Sequence, residues 1–214
     1  MKAIDFYFDP ISPYAYLAFE RLPMALMGHS VVLRYKPILF AGLLKVWGQK
    51  GPAEIEPKRA WTYRQVVWLA QQQGTCLELP AQHPFNPLPL LRLAYACAQP
   101  GDYPSRYVCE MLFKHVWQGG LDAGDADRLR ALTTLLQPLQ DPSNPNVKQR
   151  LQEETQMAVQ EAVFGVPTAL VDGKSFFGQD GLQMLSAYLN GDAWFADEAW
   201  NQLGALVPGV RRRD

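Results

Sequence analysis

A chain of 214 residues, 48% hydrophobic and 19% charged, holds enough apolar side chain for a sizeable core and too little charge for intrinsic disorder. Its formal net charge of −1 argues against a general nucleic-acid or membrane-surface binder, since both need a strong positive field. No apolar run approaches the roughly 20 residues of a membrane-spanning helix, and Met1-Lys2-Ala3 leads into a strand-like run that reads as no signal peptide.

Lys2 to Phe8 is predicted as a strand with a mostly apolar face, broken at Asp9-Pro10. Residues 13–28 are predicted as a helix, because Tyr16, Leu17, Phe19, Leu22 and Leu26 recur at three-to-four spacing and Gly28 stops the run. Residues 30–39, SVVLRYKPIL, are β-rich and end at Lys36-Pro37. The first forty residues therefore read as strand, helix, strand, the crossover unit of an α/β sheet.

From Phe40 to about Ala162 the patterns are helical. Helices are predicted over 56–74, ending at a glycine, and over 86–101, with Asn86 as cap, Pro87 at the first helical position and a Pro-Gly stop. Others cover 103–120, 125–139 and 144–164, the last capped by Asn144 before Pro145. The α/β character returns at GVPTALVDG, 165–173, a turn and strand that Asp172-Gly173 joins to a second strand in KSFFG. A helix follows over 179–191, and a last helical piece over about 193–205. The order assigns residues 1–40 and 163–214 to one sheet domain, interrupted by a helical insertion over 41–162.

Cys76, Cys97 and Cys109 are an odd set with no C-x-x-C spacing, which fits buried thiols in a reducing cytoplasm. His29, His83 and His115 stand far apart, so no metal site is expected. The arginines at 211–213 read as a solvated tail.

Three short motifs carry the chemistry. Ser12-Pro13 is an ordinary helix start, with serine as cap and proline where no donor is lost. The same geometry puts free N–H groups and a positive dipole end at the sheet edge, where a thiolate is stabilised and Ser12 can donate to it. Gly165-Val166-Pro167-Thr168 is either a turn into an edge strand or a cis proline whose preceding residue offers its backbone to a peptide-like ligand. Gly178-Gln179-Asp180 is either a cap or a place where Asp180 and nearby N–H groups hold an ammonium and a carboxylate.

In this order the motifs resemble the DsbA-like branch of the thioredoxin superfamily, and within it the 2-hydroxychromene-2-carboxylate isomerases and kappa-class glutathione transferases. The matching text is DFYFDPISPYAYLA at 5–18, RYKPILFAGLL at 34–44, VFGVPT at 163–168 and FFGQD at 176–180. The resemblance implies an α/β, thioredoxin-like fold with a large all-helical insertion. Thiol–disulfide members of the superfamily carry C-x-x-C at the start of the first helix. Here those positions are Ser12-Pro13-Tyr14-Ala15, so no redox-active dithiol forms there and the implied thiol is that of bound glutathione.

Carried over by position, the resemblance implies that Ser12 holds the thiolate and that Val166, before a cis Pro167, pairs with the cysteinyl backbone. Gln179 and Asp180 bind the γ-glutamyl end, and Lys58 and Gln49 are the candidates for the glycine end. Two departures stand out. Gln179-Asp180-Gly181 replaces the N-D-R common in the family, which removes an arginine beside Asp180, and Phe40-Ala41-Gly42 is only an approximate match.

The insertion is expected to supply the second-substrate pocket, with Tyr14, Asn86 and Arg92 as substrate contacts. HPFNPLPLLR resembles a segment near the active site of the isomerases, although Asn86 before Pro87 also reads as a simple cap. Trp47, Trp61, Tyr63 and Trp68 are either pocket or core aromatics. The implied activity is glutathione-dependent interconversion of 2-hydroxychromene-2-carboxylate and trans-o-hydroxybenzylidenepyruvate, without metal, by a cytoplasmic homodimer. The alternatives are a kappa-type transferase or peroxidase and a non-catalytic thioredoxin-fold binding module.

Overall fold

The computed structural model describes residues 1–196, 198–205 and 209, so the arginines at 211–213 lie outside the described residues. The chain opens with β1 (Lys2–Phe8), α1 (Pro13–Ala25) and β2 (Val31–Pro37). Strand β1 is a central strand of a four-stranded sheet ordered β2-β1-β3-β4, with β3 at Thr168–Val171 and β4 at Lys174–Phe177. It runs parallel to β2, pairing Lys2 with Val31 through Phe8 with Pro37, and antiparallel to β3. Asp172 (φ 49°) and Gly173 (φ 73°) both take the left-handed backbone of a tight hairpin turn, so β3 and β4 pair antiparallel as the Asp-Gly signal predicts.

Between the two halves come α2 (Phe40–Val46), α3 (Glu56–Gln73), α4 (Leu88–Ala96), α5 (Arg106–Trp117), α6 (Ala126–Leu136) and α7 (Pro145–Gln160). After the hairpin, α8 (Gly181–Leu189) packs on the sheet, and α9 (Glu198–Gly204) follows a short 3-10 turn at Ala193–Phe195. Among the described residues no helix is long and apolar enough to cross a membrane, and no cluster of metal-ligating side chains occurs.

Alternation along β1 sets the layers. Ile4, Phe6 and Phe8 enter the main core with Phe19 and Leu22 of α1, Leu90 and Leu93 of α4, and Phe113 and Trp117 of α5. Asp5 and Tyr7, also buried, face the other side of the sheet, where Tyr7 packs with Ile38, Leu43 and Ala158. The inserted helices thus share one core with the sheet.

Several expectations shift. Helix α1 ends at Ala25, three residues before Gly28 (φ 84°), with Pro23 inside its last turn removing a backbone donor. Helix α4 is shorter than predicted at both ends: Pro87 is its N-cap rather than its first helical residue, and it ends at Ala96 with Cys97 as C-cap, ahead of the Pro100-Gly101 stop. Trp61 and Trp68 are 61% and 57% exposed, so they belong to neither core nor pocket but to the outer face of α3. The buried-thiol expectation holds for Cys109 alone: Cys97 is half-buried and Cys76 exposed, and all three are free.

Candidate active site

The parallel strands β1 and β2 end side by side at Phe8 and Pro37, so the chain leaves the sheet twice at one edge. The crevice beyond the carboxyl ends of such strands is where α/β sheets place their sites. Here it begins with Asp9, a carboxyl group fully buried at 0% exposure. Its Oδ1 accepts from the Ile11 amide and its Oδ2 from the Phe40 amide, both at 3.0 Å, stapling the two departing loops together. Burial pushes the Asp9 pKa up to about 7, against the opposing pull of those two amide bonds.

The rest of the turn is held from the inserted segment. The Trp117 indole donates to the Pro10 carbonyl at 2.9 Å, and His83 Nε2 meets the Ile11 carbonyl at 2.8 Å. This fixed turn delivers Ser12, 8% exposed, as the N-cap of α1: its Oγ accepts from the Ala15 amide at 3.2 Å. The hydroxyl also reaches the Val166 carbonyl at 3.5 Å, the long limit for such a bond, and the Val166–Pro167 peptide is cis. Ser12 and the Gly-Val-Pro-Thr segment, 154 residues apart in sequence, therefore meet.

A cavity of about 650 Å³ opens over this meeting point, lined by Ser12, Tyr14, Gln49, Lys58 and Val166 among the predicted site residues. Pro167 lies behind it, its carbonyl accepting from the Gly178 amide at 2.8 Å. Phe40, Phe164 and Phe177 supply apolar wall, with the last two rings 4.7 Å apart. Glycine at 165 lets the Phe177 ring lie against the backbone, since a Cβ there would be 2.6 Å from the ring and would force it to shift. The Tyr14 hydroxyl donates to Gln65 Oε1 at 2.6 Å; burial raises its pKa, and the Asp180 carboxylate adds to the rise.

Gln179 and Asp180 line an adjoining cleft of about 400 Å³ with Arg21, Gln183 and Ser186. Asp180 makes no side-chain capping bond to α8, contrary to the plain cap reading. Among the described residues Gln179 Oε1 is buried without a hydrogen-bond partner.

Two predicted substrate contacts are elsewhere. Asn86 is exposed, outside the cavity lining, and its Oδ1 accepts from the Leu88 amide at 3.1 Å, while Pro87 takes the wall position. Arg92 is half-buried on α4, outside the cavity lining, and among the described residues its Nε is buried without a hydrogen-bond partner. Of the pocket aromatics, Tyr63 lines the cavity, whereas Trp47 instead ties its indole N–H to the Val163 carbonyl at 3.0 Å. Asp9 and His83 escaped the sequence reading. An acid directly after an apolar strand is an available sign for Asp9, and His83 opens the HPFNPLPLLR segment that resembles one near the active site of the isomerases.

The family model for a DsbA-like thioredoxin domain matches residues 3–190. The 2-hydroxychromene-2-carboxylate isomerase of Pseudomonas putida is 30% identical over 193 residues, covering 86% of this chain and 92% of its own. Glutathione S-transferase kappa 1 of Rattus norvegicus is 27% identical over 210 residues, covering 90% and 92%. A solved 2-hydroxychromene-2-carboxylate isomerase shares the fold, with TM-score 0.74 at 23% identity over 96% of this chain and all of that one. The chain belongs to the DsbA-like thioredoxin family, in the group of the 2-hydroxychromene-2-carboxylate isomerases and kappa-class glutathione transferases.

Proposed function

We propose that this protein is a glutathione-dependent isomerase that interconverts 2-hydroxychromene-2-carboxylate and trans-o-hydroxybenzylidenepyruvate. The observation that carries the reading is the Ser12 hydroxyl at the start of α1, facing the Val166 carbonyl in a cavity partly walled by phenylalanine and tyrosine rings. The residues fit the tripeptide. Ser12 and the α1 N-terminus suit a thiolate, and the Val166 backbone suits an extended peptide. The unpartnered Gln179 oxygen with Asp180 suits an ammonium, and Lys58 with Gln49 on the cavity rim suits a carboxylate.

Glutathione, when bound, supplies a sulfur that is both nucleophile and leaving group. The Ser12 hydroxyl donates to that sulfur, and the unpaired amides of the first helical turn favour its anionic form. Asp9 and Trp117 keep the turn from relaxing. Phe40, Phe164 and Phe177 exclude water from an aromatic substrate laid across the sulfur. The same relationship underlies the expectation of a cytoplasmic homodimer.

A kappa-type transferase is the second reading, supported by the likeness to the rat enzyme over most of the chain. Calorimetric titration with glutathione tests both; no heat at millimolar glutathione sinks both and leaves a non-catalytic binding module. Ser12→Ala is expected to lower isomerase kcat/KM by about 100-fold or more, as lost stabilisation of a reacting anion does. Turnover of the chromene acid against that of a chlorinated aromatic acceptor separates isomerase from transferase. Undiminished isomerase activity in Ser12→Ala removes Ser12 from the mechanism.

A further inference from the structure

Tyr63 and His83 line the same cavity as Ser12 and touch each other: the Tyr63 hydroxyl is 2.8 Å from His83 Nδ1. The other ring nitrogen, Nε2, is 2.8 Å from the Ile11 carbonyl, which can only accept. In the neutral ring that contact assigns the proton to Nε2 and leaves Nδ1 bare, the nearer of two acceptors for the Tyr63 hydroxyl, the other being the His83 carbonyl at 3.1 Å. The Tyr63 oxygen keeps lone pairs for a group in the cavity. Arg59 stands four residues before Tyr63 on α3, lines the same cavity, and its charge acts on the Tyr63 phenol. An Arg–Tyr pair on one helix face matches a carbon that bears both a carboxylate and a hydroxyl, as the hemiketal carbon of 2-hydroxychromene-2-carboxylate does.

We propose that Tyr63 is a catalytic residue that opens the hemiketal ring of the substrate, with His83 as the group that takes and returns its proton. The proposal rests on the isomerase reading above. The substrate hydroxyl gives its proton to Tyr63 Oη as the Tyr63 proton passes to His83 Nδ1. The freed oxygen lone pair forms the ketone, the bond from that carbon to the ring oxygen breaks, and its electron pair goes to the phenolate. The proton on His83 then returns through Tyr63 to the phenolate oxygen. No oxidant, reductant or outside proton is consumed, and the open keto acid presents the conjugated double bond that the sulfur needs.

The surroundings suit the task. Burial lowers the His83 pKa, opposed by its bond to Ile11, so the ring is a free base at neutral pH. Burial raises the Tyr63 pKa, with Arg59 opposing, so Tyr63 is protonated there. Trp117 and Phe85 flank the imidazole, with ring centroids 5.5 and 6.1 Å away. The charged groups on the cavity wall are Asp9, Lys50, Glu54, Lys58 and Arg59.

The test compares wild type, Tyr63→Phe and His83→Gln on 2-hydroxychromene-2-carboxylate at saturating glutathione, from about pH 5 to about pH 9. His83→Gln keeps an amide donor for the Ile11 carbonyl and removes the base. Each variant is expected to lose about 100-fold or more in kcat and to lose the acidic limb of the profile. Calorimetric glutathione affinity should stay within about twofold of wild type, about 0.4 kcal/mol. Nitrogen-15 NMR of wild type without glutathione should show Nε2 protonated and Nδ1 bare, titrating at the pH of the acidic limb. Unchanged kcat and limb in Tyr63→Phe overturn the relay and leave the isomerase reading intact. So does an imidazole midpoint away from the limb, or glutathione affinity that falls in step with kcat. A wild type inactive on the chromene acid overturns both.

Discussion

Gly181 shows how much one position can decide. A Cβ there would sit 2.9 Å from the Phe176 carbonyl carbon and 3.3 Å from its oxygen, and backbone cannot swing aside as a side chain does. The arginine that the family resemblance puts at this place has no room here. Arg21 of α1 lines the cleft that Gln179 and Asp180 share and is the one arginine among the described residues on its lining. Gly181→Arg is therefore expected to lower stability by about 1–3 kcal/mol in urea, the usual cost of overpacking, without tightening glutathione. Arg21→Ala is expected to weaken glutathione about 5- to 10-fold by calorimetry, the loss of one exposed charge-assisted contact. Tighter binding in Gly181→Arg, or unchanged binding in Arg21→Ala, would show that the γ-glutamyl end lies elsewhere.

Among the elements, α5 matters for what it props. Trp117 is fully buried at its last position, and its indole N–H holds the Pro10 carbonyl two residues before Ser12. Trp117→Phe keeps most of the packing but leaves that carbonyl unpaired, at about 1–3 kcal/mol. A lower urea midpoint together with weaker glutathione binding is the expected result; a stability loss with full affinity would separate the prop from the site. This element also marks where the sequence stopped being legible. Helix α3 matches its predicted span almost to the residue, because Gly74 takes the left-handed backbone (φ 64°) that ends it. Ser12 and the Val166–Pro167 pair were legible because cap and turn chemistry is local. The segment from Thr75 to Pro87 has no periodicity, and its form comes from distant partners: the Glu78 amide bonds to the Trp117 carbonyl at 2.8 Å and the Ala81 amide to the Leu121 carbonyl at 3.2 Å. His83 rides on that segment. Asn86 and Arg92 stand outside the cavity lining, Asn86 as the local acceptor for the Leu88 amide and Arg92 half-buried on α4.

For the molecule as a whole, the open matter is whether the sheet and the inserted helices unfold together. Their junction on the sheet face opposite the main core is a buried charge cluster. Lys36 of β2 lies 3.0 Å from Asp5 of β1 and 3.7 Å from Glu154 of α7, which is 1% exposed and is also held by Arg150 at 2.8 Å. Thr155, next on α7, accepts from the Leu39 amide at 3.1 Å. Removing the cation leaves two carboxylates facing each other in the interior, and Arg34 and Arg150 neutralise them only from their outer sides. Lys36→Met is thus expected to cost about 3 kcal/mol, at the low end for breaking a buried pair. Because Phe113 and Trp117 of the insertion pack in one core with Ile4, Phe6 and Phe8 of β1, the loss should fall on the whole chain at once. Far-ultraviolet circular dichroism and tryptophan fluorescence should report one urea transition in wild type and in Lys36→Met, shifted to lower urea with the same slope. Two separated transitions, with only the helical signal displaced, would instead make the insertion a domain that folds on its own, docked on the sheet through Lys36.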